Sequence, residues 1–138
     1  MQELERFIEA QDDVWPDVER ELRAGEKRTH WMWFVFPQLA GLGSSEMARH
    51  YAIADLTEAR AYRDHLVLGP RLHDAAGWLL AHPDRSADEM LGGIDAQKLR
   101  SCATLFEAAG EDDRMPALLD TFFNGERDPR TLALLEQD

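Results

Sequence analysis

Cysteine is nearly absent from this chain: Cys102 is the only one among 138 residues. A lone cysteine excludes an intramolecular disulfide and any cysteine-rich zinc site, and it agrees with a reducing compartment. Lysine is almost as scarce. The fifteen Lys and Arg residues include only Lys27 and Lys98 as lysines, so a retained lysine can mark a place that needs a compact ammonium rather than a planar fork. Positive charge as a whole is in deficit, with 27 Asp and Glu giving a formal net charge of -12. Most of such a surface repels a nucleic-acid backbone, which excludes a generic nucleic-acid role. Long apolar runs are missing too. No stretch approaches the roughly 20 residues that span a bilayer, and Met1-Gln2-Glu3-Leu4-Glu5 is acidic, without the basic-then-apolar order of a secretory signal. No membrane association and a cytoplasmic location are the expectations.

Repeats, low-complexity segments and linkers rich in Pro, Gly or Ser are also lacking, so one domain over residues 1–138 is expected. The five histidines, at 30, 50, 65, 73 and 82, show no His-Glu-x-x-His or other short ligand spacing, and no metal site or cofactor is expected. There is no Walker loop, no Gly-x-Gly-x-x-Gly, no Gly-x-Ser-x-Gly and no kinase signature. Gly41-Leu42-Gly43 is a turn.

What is present is helical periodicity nearly everywhere. Leu4, Phe7, Ile8 and Gln11 begin one stripe. Asp13 and Pro16 suit a restart, with Val18 and Leu22 inward until Gly25 stops the second helix. Further helices are expected after Ser44 or Ser45, after Thr57, from Gly69-Pro70 to Leu80, and after the Ser86/Glu89 capping pair. Three more follow: one from Asp95, as cap, to Ala109; one from Pro116; and one from Asp128-Pro129. The fold class is therefore all-α, with about seven or eight short helices around the run Trp31-Met32-Trp33-Phe34-Val35-Phe36 as a buried central segment. That run has apolar residues on both alternating faces, so a short buried strand and a buried helical turn fit it equally, and Pro37 ends either.

Two constellations carry candidate chemistry. Lys27, Arg28 and His30 precede Trp31 and Trp33. Cations beside flat aromatic rings can hold a phosphate and stack a base or nicotinamide ring, with His30 or a nearby carboxylate moving a proton. The competing reading makes the aromatics core, sets Lys27 and Arg28 over the helix C-terminus near Gly25, and leaves His30 bonded to a backbone carbonyl. Lys98, Ser101 and Cys102 stand at i, i+3 and i+4, which places an ammonium beside a hydroxyl and a thiol. Lys98 and Ser101 can bind a phosphate oxygen. Cys102 falls on the apolar stripe with Leu99, Leu105 and Phe106, where thiolate formation is disfavoured.

Several blocks carry a resemblance. They are Glu21-Leu22-Arg23-Ala24-Gly25 with Lys27-Arg28, the run His30 to Gln38, Gly41-Leu42-Gly43, Tyr51-Ala52-Ile53, Leu68 to Leu72, Asp95 to Phe106, and Thr131 to Leu135. Together they resemble the bacterial domain of unknown function number eighteen-ten, sometimes labelled calpastatin, across nearly the whole chain. The resemblance implies a small, mainly helical, intracellular domain without an established activity. A looser likeness, in Tyr51 with Ala59 and in the order Asp95, Lys98, Phe106, is to the NADAR group, which handles ADP-ribose and NAD derivatives. Its members set aromatic, glutamine and lysine positions around a pocket, and the likeness adds Gln38 and Tyr51 to the candidate ligand contacts. The resulting expectation is a domain that binds a small phosphorylated or nucleotide-like ligand such as an ADP-ribose or NAD derivative, with hydrolysis of an N-glycosidic bond by way of His30 as its enzymatic form. A non-enzymatic protein-interaction module, with a purely structural aromatic run, is the alternative.

Overall fold

Helical stripes become helices along most of the chain. The computed structural model describes residues 2–136; Met1, Gln137 and Asp138, which the single-domain expectation includes, lie outside the described residues. These hold α1 (Gln2–Ala24), α2 (Met32–Val35), α3 (Glu46–His50), α4 (Leu56–Asp64) and α5 (Leu68–Leu80), then α6 (Ala87–Leu91), α7 (Gly93–Ala109), α8 (Arg114–Phe122) and α9 (Pro129–Glu136). No sheet forms among them. The nearest approach is a single parallel bridge between Leu39 and Ile53.

α1 is one continuous helix, not two. Pro16 lies inside it, yet Leu4, Phe7, Gln11, Val18 and Leu22 are all buried and remain in phase on either side. A helix-interior proline costs about 3 kcal/mol, and burial of that common stripe against α5 and α2 offsets it. Gly25 then ends the helix at φ +74. Its N–H donates to Leu22 O, and the N–H of Glu26 donates to Glu21 O, the paired bonds of a Schellman stop. The side chains over this C-terminus are not Lys27 and Arg28. The Arg85 guanidinium donates from Nη1 to Gly25 O at 2.8 Å, and the His82 ring sets Nε2 2.9 Å from Arg23 O.

The aromatic run resolves as a helical turn. Trp31, Met32, Phe34, Val35 and Phe36 are all buried, so neither face of the segment is free for solvent. α2 lasts one turn, ends ahead of Pro37, and the chain then extends to the Leu39–Ile53 bridge. With α1 one helix and this turn counted, the described residues hold nine helices where about seven or eight were expected.

α7 is the central element, packed on α4, α6, α8 and α9. Ser101 to Phe106 are buried consecutively, as in a helix covered on all sides. Of its hydroxyls, Thr104 Oγ1 donates to Arg100 O, and Ser101 Oγ shares its one proton between Gln97 O at 3.2 Å and Asp128 Oδ2 at 3.3 Å. Gly92 and Gly110 bound it at φ +91 and +90. The cap expected at Asp95 sits instead at Gly92, with Asp95 in the first turn, where its carboxylate serves two lysines.

Candidate ligand-binding groove

Only the N-terminal half of α7 leaves a polar face uncovered. Ile94, Gln97, Lys98 and Ser101 fall at i, i+3, i+4 and i+7, on one side of the helix, and together they wall a groove of about 530 Å3. Gln38, the turn from Leu42 to Ser45, Asp128 and Arg130 also line it. The turn is held in place by its own chemistry: Ser45 caps α3 by accepting from Ala48 N–H, and Arg130 Nη2 donates across to Leu42 O at 3.3 Å. Ile94 stands at the mouth, 78% exposed. The volume falls within the range of small-molecule sites.

The floor is rigid. Asp128 is buried and accepts from Gln97 Nε2 (3.0 Å), Ser101 Oγ (3.3 Å), Thr131 N (3.0 Å) and Thr131 Oγ1 (2.6 Å). These donors occupy the carboxylate and cap α9. They also orient Gln97, whose amide nitrogen faces Asp128 and whose oxygen is left as an acceptor.

Behind the groove stands a second charged cluster. Lys27 Nζ is 2.8 Å from Asp95 Oδ2, and Lys98 Nζ is 3.7 Å from Asp95 Oδ1. Each ammonium also lies over an indole ring, Lys27 at 5.1 Å from Trp31 and Lys98 at 4.8 Å from Trp33, within cation–π range. The two lysines of this arginine-rich chain thus meet at one carboxylate. A tight loop delivers Lys27. Glu21, buried at the end of α1, accepts from the N–H groups of Arg28 and Thr29, from Thr29 Oγ1 and from Trp31 Nε1. Burial favours the protonated carboxyl, but these donors outweigh it and lower the Glu21 pKa to about 2.

The expected site residues therefore separate. Gln38, Lys98 and Ser101 line the groove. Trp33 is half-buried beneath Lys98. Lys27, only 7% exposed at its side chain, is an internal ion-pair partner and does not line the groove. Trp31 is fully buried and offers no face for stacking. Arg28 turns to solvent and pairs with Glu26. His30 is exposed on the α1–α2 loop and does not line the groove. Tyr51 packs against Phe34 and Phe7, with ring centroids 5.2 and 5.8 Å apart, and so belongs to an aromatic cluster. Gln97 and Arg130 are not candidates in the sequence, where Asp95 figures as a helix cap and in the looser likeness and Asp128 only as a helix start. The i, i+3, i+4, i+7 spacing from Ile94 to Ser101 is the signal that could have found Gln97.

A second cleft, of about 440 Å3, has the opposite electrostatics. Its lining includes Asp64, Asp74, Glu111, Asp112 and Asp113, with Arg63 and His73 as the basic side chains. His73 Nδ1 is 3.0 Å from Asp112 Oδ1, and Arg63 pairs with Asp64 and Glu111. Carboxylates dominate, and a phosphate is repelled there. No group of three or more His, Cys, Asp or Glu able to hold a metal occurs among the described residues, and no helix there is long and apolar enough to cross a membrane.

Fold and groove define a small all-α domain built around one central helix. The chain belongs to the family described as Protein of unknown function (DUF1810), whose model matches residues 1–135. It is similar to the conserved hypothetical protein Rv1873 from Mycobacterium tuberculosis, at 50% identity over 96% of each chain and a TM-score of 0.95. No curated protein matches it. The resemblance drawn from the tryptophan-rich block is thereby shown, while the likeness to the NADAR group finds no support.

Proposed function

We propose that this domain binds a small phosphorylated ligand in the groove beside α7, with Lys98 as the principal phosphate contact and Arg130 as the second cation. The observation that carries this reading is the sharing of one carboxylate, Asp95, by two lysines. One ammonium is left unbalanced at the edge of a groove, in a chain whose net charge is -12. An anion is the ligand that completes the balance. The uncapped first turn of α7, with glycine at its N-cap, faces the same groove and adds favourable backbone dipoles.

Gln38, Gln97 and the hydroxyls of Ser44 and Ser45 offer hydrogen bonds for a sugar, and Ile94 and Leu42 offer apolar contact. A nucleotide-like ligand such as an ADP-ribose or NAD derivative uses all three kinds of contact, and the cytoplasm is the compartment in which the domain meets it. The reading is one of binding. His30 is outside the groove, and the carboxylate on its lining, Asp128, already accepts from Gln97 and Thr131, which lowers its worth as a general base.

The test is a thermal-shift screen against nucleotides, NAD, ADP-ribose and sugar phosphates. A ligand at 100 times its dissociation constant adds about 2.7 kcal/mol, which raises the midpoint by several degrees. The expected hit is lost in Lys98→Ala and kept in His30→Ala. Equal shifts in the wild type and Lys98→Ala would remove the groove from consideration. No shift across the panel would favour the alternative interaction module, for which the acidic cleft and the 91% exposed Leu66 are the surfaces to examine.

A further inference from the structure

Lys27 and Lys98 hold the same carboxylate in unequal ways. Lys27 makes the short contact, 2.8 Å to Asp95 Oδ2, from a side chain only 7% exposed. Its own backbone N–H is fixed to Met90 O at 2.8 Å, and its ammonium lies over the buried Trp31. It has no second place to go. Lys98 makes the long contact, 3.7 Å to Asp95 Oδ1, from a side chain that is 21% exposed and lines the groove. One carboxylate neutralises one ammonium, and the geometry awards it to Lys27.

Asp95 and Lys98 stand at i and i+3 on the first turn of α7, where a carboxylate and an ammonium readily close on one another. At 3.7 Å that intrahelical pair is made only loosely, and Lys27, 2.8 Å from the other oxygen, competes for the same charge. Resting on the phosphate-binding reading above, we infer that Lys27 is a positioning residue of the anion site: by occupying Asp95 it keeps the Lys98 ammonium available to a ligand phosphate that Lys27 itself does not touch.

The chain's two lysines make this directly measurable. Protein labelled with 13C at lysine Cε gives one resolved set of signals for each, assigned with Lys98→Arg, and is titrated with inorganic phosphate. In the wild type the Lys98 signal moves and the Lys27 signal does not. In Lys27→Met, which keeps an apolar stem under Trp31, Asp95 closes on Lys98, and phosphate affinity read at Lys98 falls about five- to tenfold. In the double variant Lys27→Met/Asp95→Asn the carboxylate is gone as well, and affinity returns to near the wild-type value. A purely structural role for Lys27 predicts no such rescue. Melting temperatures of both variants establish that each is folded.

If the Lys98 signal ignores phosphate in the wild type, the phosphate-binding reading fails and this inference falls with it. If the signal responds equally in the wild type and Lys27→Met, the inference alone is overturned. Weak binding in both the single and the double variant overturns it equally.

Discussion

The Trp31 indole N–H donates to Glu21 Oε1 at 2.9 Å, joining a fully buried ring to a nearly buried carboxylate. Because Arg28 N, Thr29 N and Thr29 Oγ1 donate to the same carboxylate, the loop that delivers Lys27 to Asp95 is wrapped around an anion. Glu21→Ala strands these donors, of which the indole N–H is buried. It is expected to lower the unfolding free energy by about 3 kcal/mol in urea denaturation. Glu21→Gln keeps one acceptor oxygen and falls between.

The same carboxylate sets an acid limit. Its pKa in the folded protein, about 2, lies below its ordinary value of 4.5. A depressed carboxylate pKa contributes stability that is fully present above the ordinary value and is lost as pH falls toward the folded one. Between pH 5 and pH 2 the wild type is expected to lose about 3 kcal/mol through this group, and Glu21→Gln lacks that portion of the slope. Urea midpoints measured across that range check it. Equal slopes for the two proteins would show that the donors around Glu21 do not hold its charge.

Much of the fold was legible because helix periods and stop signals act locally. Gly25 ends α1 where its sequence position indicates, whereas α7 is capped at Gly92, ahead of the expected Asp95 cap. Pro16 misled because proline is a local signal of a break, whereas the continuity of α1 is decided by a stripe that stays in phase past it. The aromatic run gave no period because residues on every side of it are buried, which erases the polar half of the pattern. For the groove, the α7 face carrying Lys98 and Ser101 was readable from spacing. The meeting of Lys27 with Asp95 was not, since it joins the loop after α1 to the first turn of α7, distant in sequence, through tertiary packing. Tyr51 and His30 show the same limit: residue type suggests chemistry, but only packing directs Tyr51 toward Phe34 and leaves His30 outside the groove.

Cys102 is buried on the core face of α7, and burial pushes its thiol well above the ordinary range. The native protein is therefore expected to resist a thiol reagent at neutral pH and to react fully once denatured. Rapid labelling of the folded protein would contradict the packing around α7. Since the thiolate is the reactive form, the same experiment bears on any redox role for the chain.

Arg63 joins the end of α4 to the end of α7. Its Nη1 donates to the carbonyls of both Ala109 and Gly110, while Nε holds Asp64 at 2.9 Å. The side chain is only 14% exposed, and the carbonyls it serves belong to the C-terminal turn of α7, where unsatisfied acceptors and the negative end of the helix dipole both favour a cation. Arg63→Ala is expected to cost about 2 kcal/mol of stability, typical for charged hydrogen bonds to partly buried carbonyls. Arg63→Lys should recover less than half of the loss, because one ammonium cannot span the two carbonyls and Asp64 as the planar guanidinium does. Thermal unfolding of the three proteins checks this. Full recovery by lysine would mean that charge at the helix terminus, and not the forked geometry, carries the contribution.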